Sequence, residues 1–196
     1  DDPYDYANPS SPVKRLTVYS DFDAHLSSTG MSALNKLLLS EVADELDDAL
    51  YSTDTDDITI KTVVDVYPHT PKYSSPSRVY TKMRFELKVA SVSKSTGAAQ
   101  DVPGTVEVDL DIFDDLDNST FGLSLNGSAN ELFTVEESGD NFVIESRRWG
   151  HGIGYSQYGG EQMAREGYNW RKILDFYHND MVTYPTEKLS RPSLTA

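Results

Sequence analysis

The chain contains no cysteine. Disulfides, thiol nucleophiles and thiolate zinc sites are therefore excluded. A Cys-free composition suits an extracytoplasmic bacterial protein, but many cytosolic proteins share it, so composition leaves the compartment open. Long apolar runs are also missing. The longest resemble Leu37-Leu38-Leu39, too short for a membrane-spanning helix. Positive charge is scarce: 17 Lys and Arg stand against 32 Asp and Glu, a formal net charge of −15. Such a chain repels phosphate backbones, whose binders gain affinity by releasing counterions with Lys and Arg, so nucleic acid is not expected as a partner. No secretory leader opens the sequence, which begins Asp1-Asp2-Pro3-Tyr4-Asp5 without an initiator Met. The expectation is either an export signal already removed or a longer parent chain.

What is present points to a folded protein. The 196 residues fit a single domain with a sizeable core, and 12 Tyr, 7 Phe and 2 Trp exclude wholesale disorder. Residues 1–13, with three Pro and few large aliphatics, read as an extended lead-in segment, and a short strand is expected at Lys14–Tyr19. Met31, Leu34, Leu38, Val42, Leu46 and Ala49 recur at spacings of three or four, which predicts one long amphipathic helix over Met31–Tyr51, capped by Ser28 or Ser32. Strands follow. Ile58, Ile60, Val64 and Val66 alternate with polar residues up to Pro68. Val79, Met83, Phe85, Leu87 and Val89 alternate with Lys82, Arg84, Glu86 and Lys88, while Val106, Val108, Leu110 and Ile112 alternate with Glu107, Asp109 and Asp111. Such two-residue periodicity means a sheet with one wet face, and a mostly basic face beside an acidic one predicts antiparallel pairing of these two strands. Ser93–Gly104 reads as a loop, and Leu132–Glu136 with Asn141–Glu145 as a hairpin turned at Ser138-Gly139-Asp140. After a stretch with six glycines between 150 and 167, a helix is expected at Trp170–Tyr177, capped by Asn169. The fold class is α+β: an antiparallel sheet, one long amphipathic helix and short C-terminal helices in one domain, 1–196.

Asp109, Asp111, Asp114, Asp115 and Asp117 suggest calcium, but an EF-hand loop starting at Asp115 needs Gly at 120 and Glu at 126, where the chain has Thr120 and Asn126. A solvated strand face and turn is the better account. His25, His69, His151 and His178 lack paired zinc spacing, so neither a metal nor a cofactor is expected. Gly154-Tyr155-Ser156-Gln157-Tyr158 misses a nucleophile elbow because its second Gly arrives at 159; a serine hydrolase acting through Ser156 is the distant third reading.

The informative segment runs from Arg148 to Gly160. Alternating glycines around His151 permit positive φ and close approach of another chain. Polar tips on His151, Ser156 and Gln157 beside the rings of Trp149, Tyr155 and Tyr158 suit a sugar, whose hydroxyls need hydrogen bonds while its C–H face packs on aromatics. A tight Gly-rich corner with His151 satisfied internally accounts for the same residues equally well.

Trp149-Gly150-His151-Gly152-Ile153-Gly154-Tyr155-Ser156-Gln157-Tyr158-Gly159-Gly160, then Met163-Ala164, Gly167 and Ile173-Leu174-Asp175-Phe176-Tyr177, resembles the end of the stage II sporulation protein D family (SpoIID/LytB domain). That family reads roughly G-R-G-W-G-H-G-V-G-M-S-Q-Y-G-A before a helix carrying Met-Ala and Gly. Ser77-Arg78-Val79 and Phe121-Gly122-Leu123 are fainter echoes. Here Ser146 and Arg148 stand where the family has Gly, Tyr155 replaces Met, and Gly160 replaces Ala. Nothing matches the family's upstream helix or its catalytic Glu, a role not transferred to Glu41, so the chain resembles the C-terminal half or so of the domain.

The resemblance implies a bacterial, extracytoplasmic protein acting on peptidoglycan glycan strands, by lytic transglycosylase chemistry or as an amidase enhancer. His151 and Gln157 would then contact substrate or orient the acid, with Trp149, Tyr155, Ser156 and Tyr158 lining the groove. A general acid is not identified; Glu41, Glu131, Glu145 and Glu161 are the carboxylates to search. The family's N-terminal region or a cell-wall amidase is the expected protein partner. The rival is a non-catalytic glycan- or partner-binding module.

Overall fold

The computed structural model describes residues 3–74, 77–125, 131–147 and 154–178. In chain order the elements are α1 (Pro3–Ala7), β1 (Val13–Val18), α2 (Thr29–Glu45), β2 (Ile58–Pro71), β3 (Tyr80–Val92), β4 (Ala99–Asp101), β5 (Val106–Asp111), β6 (Leu132–Ser138), β7 (Asn141–Arg147), α3 (Gln157–Arg165) and α4 (Trp170–Tyr177). The architecture is α+β, as the pattern of elements predicts. Two compact units form, one within residues 12–152 and one from residues 1–11 with 153–196.

In the larger unit, α2 buries Met31, Leu34, Leu38 and Val42, the stripe expected from its spacing. The Ser28 hydroxyl accepts from the Met31 N–H at 3.2 Å and caps the helix. Ser28→Ala should therefore destabilise this unit by about 1 kcal/mol in urea denaturation; an unchanged midpoint would mean that the cap contributes nothing. The helix stops at Glu45, six residues before Tyr51, the end expected from sequence. Leu46 is still buried but extended, and Asp47 turns its carboxylate onto the Ala49 N–H at 2.9 Å. A short acceptor side chain offers the backbone an alternative to the next helical turn.

One sheet has β3 at its centre, paired antiparallel with β2 on one edge and with β4 and β5 on the other. The predicted pairing of basic and acidic strands is the observed one: Lys82 faces Asp111 and Arg84 faces Asp109 across β3 and β5. Arg84 grips Asp109 with two parallel bonds of 2.8 and 2.9 Å and reaches Glu107 at 2.7 Å. That grip holds the Asp109 carboxyl below its ordinary range, helped by the His69 ring at 2.9 Å. Met83, Phe85, Leu87, Val108 and Leu110 point the other way, into the core shared with α2. The loop expected at Ser93–Gly104 contains the short strand β4, which extends the pairing of β3.

The alternation in β2 does not run as the sequence implies. Register shifts between Ile60 and Thr62 and between Val63 and Asp65 break the phase. Ile58, Ile60, Val63 and Val66 are buried, while Val64 lies 42% exposed. The strand also runs past Pro68 to Pro71.

The second sheet orders β1-β7-β6, all antiparallel. β6 and β7 form the predicted hairpin, with Ser138 paired to Asn141 and Gly139 at φ +64, the glycine position of a tight II′-class turn. Phe133, Phe142 and Ile144 join the same core.

The smaller unit holds α1, α3 and α4. The extended course expected for residues 1–13 fails over Pro3–Ala7, which is helical. Proline's fixed φ and missing N–H suit the first position of a helix. Asn8, buried after this turn, donates its amide to the Tyr158 carbonyl at 2.7 Å and accepts from the Ser10 N–H at 2.9 Å. Asn169 caps α4 as predicted, accepting from the Lys172 N–H at 3.1 Å.

Candidate functional site

Two of the six sequence-predicted site residues, Trp149 and His151, lie outside the described residues. The other four surround the start of α3. Gly154 enters it at φ +87, a conformation that L side chains rarely adopt. Tyr155 follows, 44% exposed. Ser156 caps the helix by accepting from the Gly159 N–H at 3.1 Å and donates to the Asp5 carboxylate at 3.1 Å. Its hydroxyl is thus engaged in fixing the helix start and in holding α1. Gln157 is exposed on the first turn. The Tyr158 carbonyl receives the Asn8 amide.

Tyr155 rests directly on Gly160. A Cβ at position 160 would fall 1.9 Å from the Tyr155 hydroxyl oxygen and 2.4 Å from Cζ. Tyr155 and Gly160, the two positions around the start of α3 at which the sequence differs from the motif it resembles, are therefore one packing event. The other side of the contact is Tyr177, its centroid 4.9 Å from that of Tyr155 at 60°. From there the rings continue: Tyr177 to Phe176 at 4.9 Å, Phe176 to Tyr4 at 5.3 Å, and Tyr4 to Tyr168 at 5.7 Å, all edge-on. Tyr155, Phe176 and Tyr168 are the exposed members of this cluster. Sequence reading missed Tyr4, Tyr168, Phe176 and Tyr177 as a group, because Tyr4 joins them from the opposite end of the chain. The density of aromatics between 155 and 177 was the available signal.

The carboxylates named for search have different surroundings. Glu41 is exposed on α2, and Glu161 pairs with Arg165 at 2.7 Å one turn along α3. Glu145 is buried between Arg15, at 2.7 Å, and Arg147, so its oxygens are engaged in holding sheet strands. Glu131 is fully buried and shares a hydrogen bond with the Asp117 carboxyl. Burial first, then that bond and the Glu131 charge, push Asp117 up to about 6, partly offset by a hydrogen bond from Ser124. Of the two, Asp117 is the group whose proton is held toward neutral pH, and sequence reading included only Glu131.

No family model matches the chain. Among curated proteins, the stage II sporulation protein D of Bacillus subtilis (strain 168) is 39% identical over 46 residues, which make up 24% of this chain and 13% of that protein. Over those 46 residues the chain is similar to a sporulation protein.

Proposed function

We propose that this chain works on peptidoglycan outside the cytoplasm, as the glycan-holding part of a SpoIID-like lytic transglycosylase. The observation that carries the reading is the segment Trp149–Gly160 with its following Met163-Ala164 and Ile173–Tyr177, supported by the partial similarity to the sporulation protein. In this chemistry a protonated carboxyl donates its proton to the glycosidic oxygen as the C1–O bond breaks. The muramic C6 hydroxyl then attacks C1 and returns its proton to the same carboxylate, leaving a 1,6-anhydro end without added water. Tyr155, Gln157 and Tyr158, with Trp149 and His151, would orient the sugar. The net charge of −15 disfavours anionic wall polymers and suits glycan stripped of its acidic stem peptides.

A second reading is a non-catalytic glycan- or partner-binding module, such as an amidase enhancer. It is favoured by one observation: nothing in the sequence matches the family's catalytic Glu region. Mass spectrometry of glycan strands, with and without stem peptides, separates the two after incubation with this chain. New 1,6-anhydro ends are the expected product if the acid lies in this chain. Binding without cleavage supports the module reading, and adding the family's N-terminal region then tests whether cleavage is restored. Neither cleavage nor binding would remove both readings.

A further inference from the structure

We infer that Tyr155 is a sugar-stacking platform whose position is set by the absence of a side chain at Gly160. The inference rests on the peptidoglycan reading and adds a specific binding surface to it.

Tyr155 is exposed, yet its ring does not hang in solvent: its hydroxyl end occupies the volume where any residue but glycine at 160 would put Cβ, and its ring packs against Tyr177. An exposed tyrosine normally samples several rotamers; one seated against bare helix backbone and a second ring is held in place. A held, half-exposed ring matches the C–H face of a pyranose, and it is too small to carry a protein partner. The exposed Gln157 amide on the adjoining turn is the kind of group that sugar hydroxyls require. Four further rings, Tyr177, Phe176, Tyr4 and Tyr168, continue the contacts at centroid distances of 4.9, 5.3 and 5.7 Å after the first, so Tyr155 is the outermost member of a packed aromatic cluster rather than an isolated ring.

The Met that the family carries at position 155 would be flexible and would leave room for a Cβ at position 160. The Tyr155–Gly160 combination replaces a mobile contact by a fixed one.

The test is calorimetric titration of stem-stripped glycan strands into the wild-type chain and into Tyr155→Met, Gly160→Ala, Tyr155→Phe and the double variant Tyr155→Met/Gly160→Ala, with a melting curve for each. Tyr155→Met should weaken binding about five- to tenfold. Gly160→Ala should weaken it by a similar factor although the ring is still present, because the new methyl displaces it. The double variant should bind no worse than either single one and melt like the wild type, whereas Tyr155→Phe should keep the affinity. Wild-type binding that Tyr155→Met and Gly160→Ala leave unchanged would overturn the platform while sparing the peptidoglycan reading. Failure of the wild type to bind any glycan would overturn both.

Discussion

Val63→Ala is expected to destabilise the larger unit by about 2 to 3 kcal/mol, and Val64→Ala by less than about 0.5 kcal/mol. The two side chains are identical and adjacent, so the contrast isolates orientation. Val63 is 1% exposed against the core and Val64 is 42% exposed. Removing two buried carbons forfeits their transfer free energy and leaves a cavity in the core; removing the same atoms from a half-wetted surface does neither. The register shifts on either side of Val63 are responsible. They let the Val63 N–H meet the Ser20 carbonyl at 3.0 Å while the Ser20 hydroxyl returns a bond to the Val63 carbonyl at 3.1 Å. Asp65 then repairs the ladder locally, its carboxylate accepting from the Val66 N–H at 2.8 Å. Urea denaturation of both variants checks the prediction. If Val64→Ala proved the more destabilising, the strand would follow simple alternation and the shifts would be absent.

The same strand shows which parts of this fold were legible in the sequence. Period-two alternation exposed β3 and β5 as far as Asp111, down to the opposed charges of Lys82, Arg84, Asp109 and Asp111, because every other residue there obeys one constraint, whereas Ile112, expected in the strand, opens a helical turn capped by Asp111. β2 defeated that reading because a bulge is selected by a long-range partner, Ser20, which periodicity cannot register. The end of α2 was lost to a local competitor, the Asp47 side chain, which the unbroken apolar stripe concealed. Residue types and spacing single out Tyr155 to Tyr158, and the structure gathers them at the start of α3. Their supports were not legible: Asp5 holds Ser156 and Asn8 holds the Tyr158 carbonyl, each from about 150 residues away. The Tyr155–Gly160 contact left a trace in the sequence as two departures from one motif, but only the geometry joins them.

Asp117→Asn is expected to stabilise the larger unit at pH 7 by about 1.5 kcal/mol and to give no gain at pH 4. In the folded chain Asp117 is pushed from its ordinary value of 3.8 up to about 6, by burial and by the Glu131 carboxyl bonded to it. A raised carboxyl pKa favours the folded state while the proton is bound. That contribution is complete below about pH 4, where the unfolded chain is protonated too, and is lost as pH rises through about 6. Above that pH the fold retains two acidic groups in contact, one of them fully buried. The bare shift converts to about 3 kcal/mol, of which roughly half survives because Asp117 is only partly buried and water screens it. An asparagine in its place carries no charge and can donate its amide to Glu131 at every pH. Asp109, whose pKa is lowered, gives the opposite dependence, and its contribution is lost only as pH falls through the acid range below its ordinary value of 3.8. The difference between wild type and Asp117→Asn, measured by urea denaturation at pH 4, 5, 6 and 7, cancels that background. The gap should open between pH 4 and 6 and then hold constant; parallel curves over the whole range would mean that the Asp117 carboxyl is not raised in the folded state.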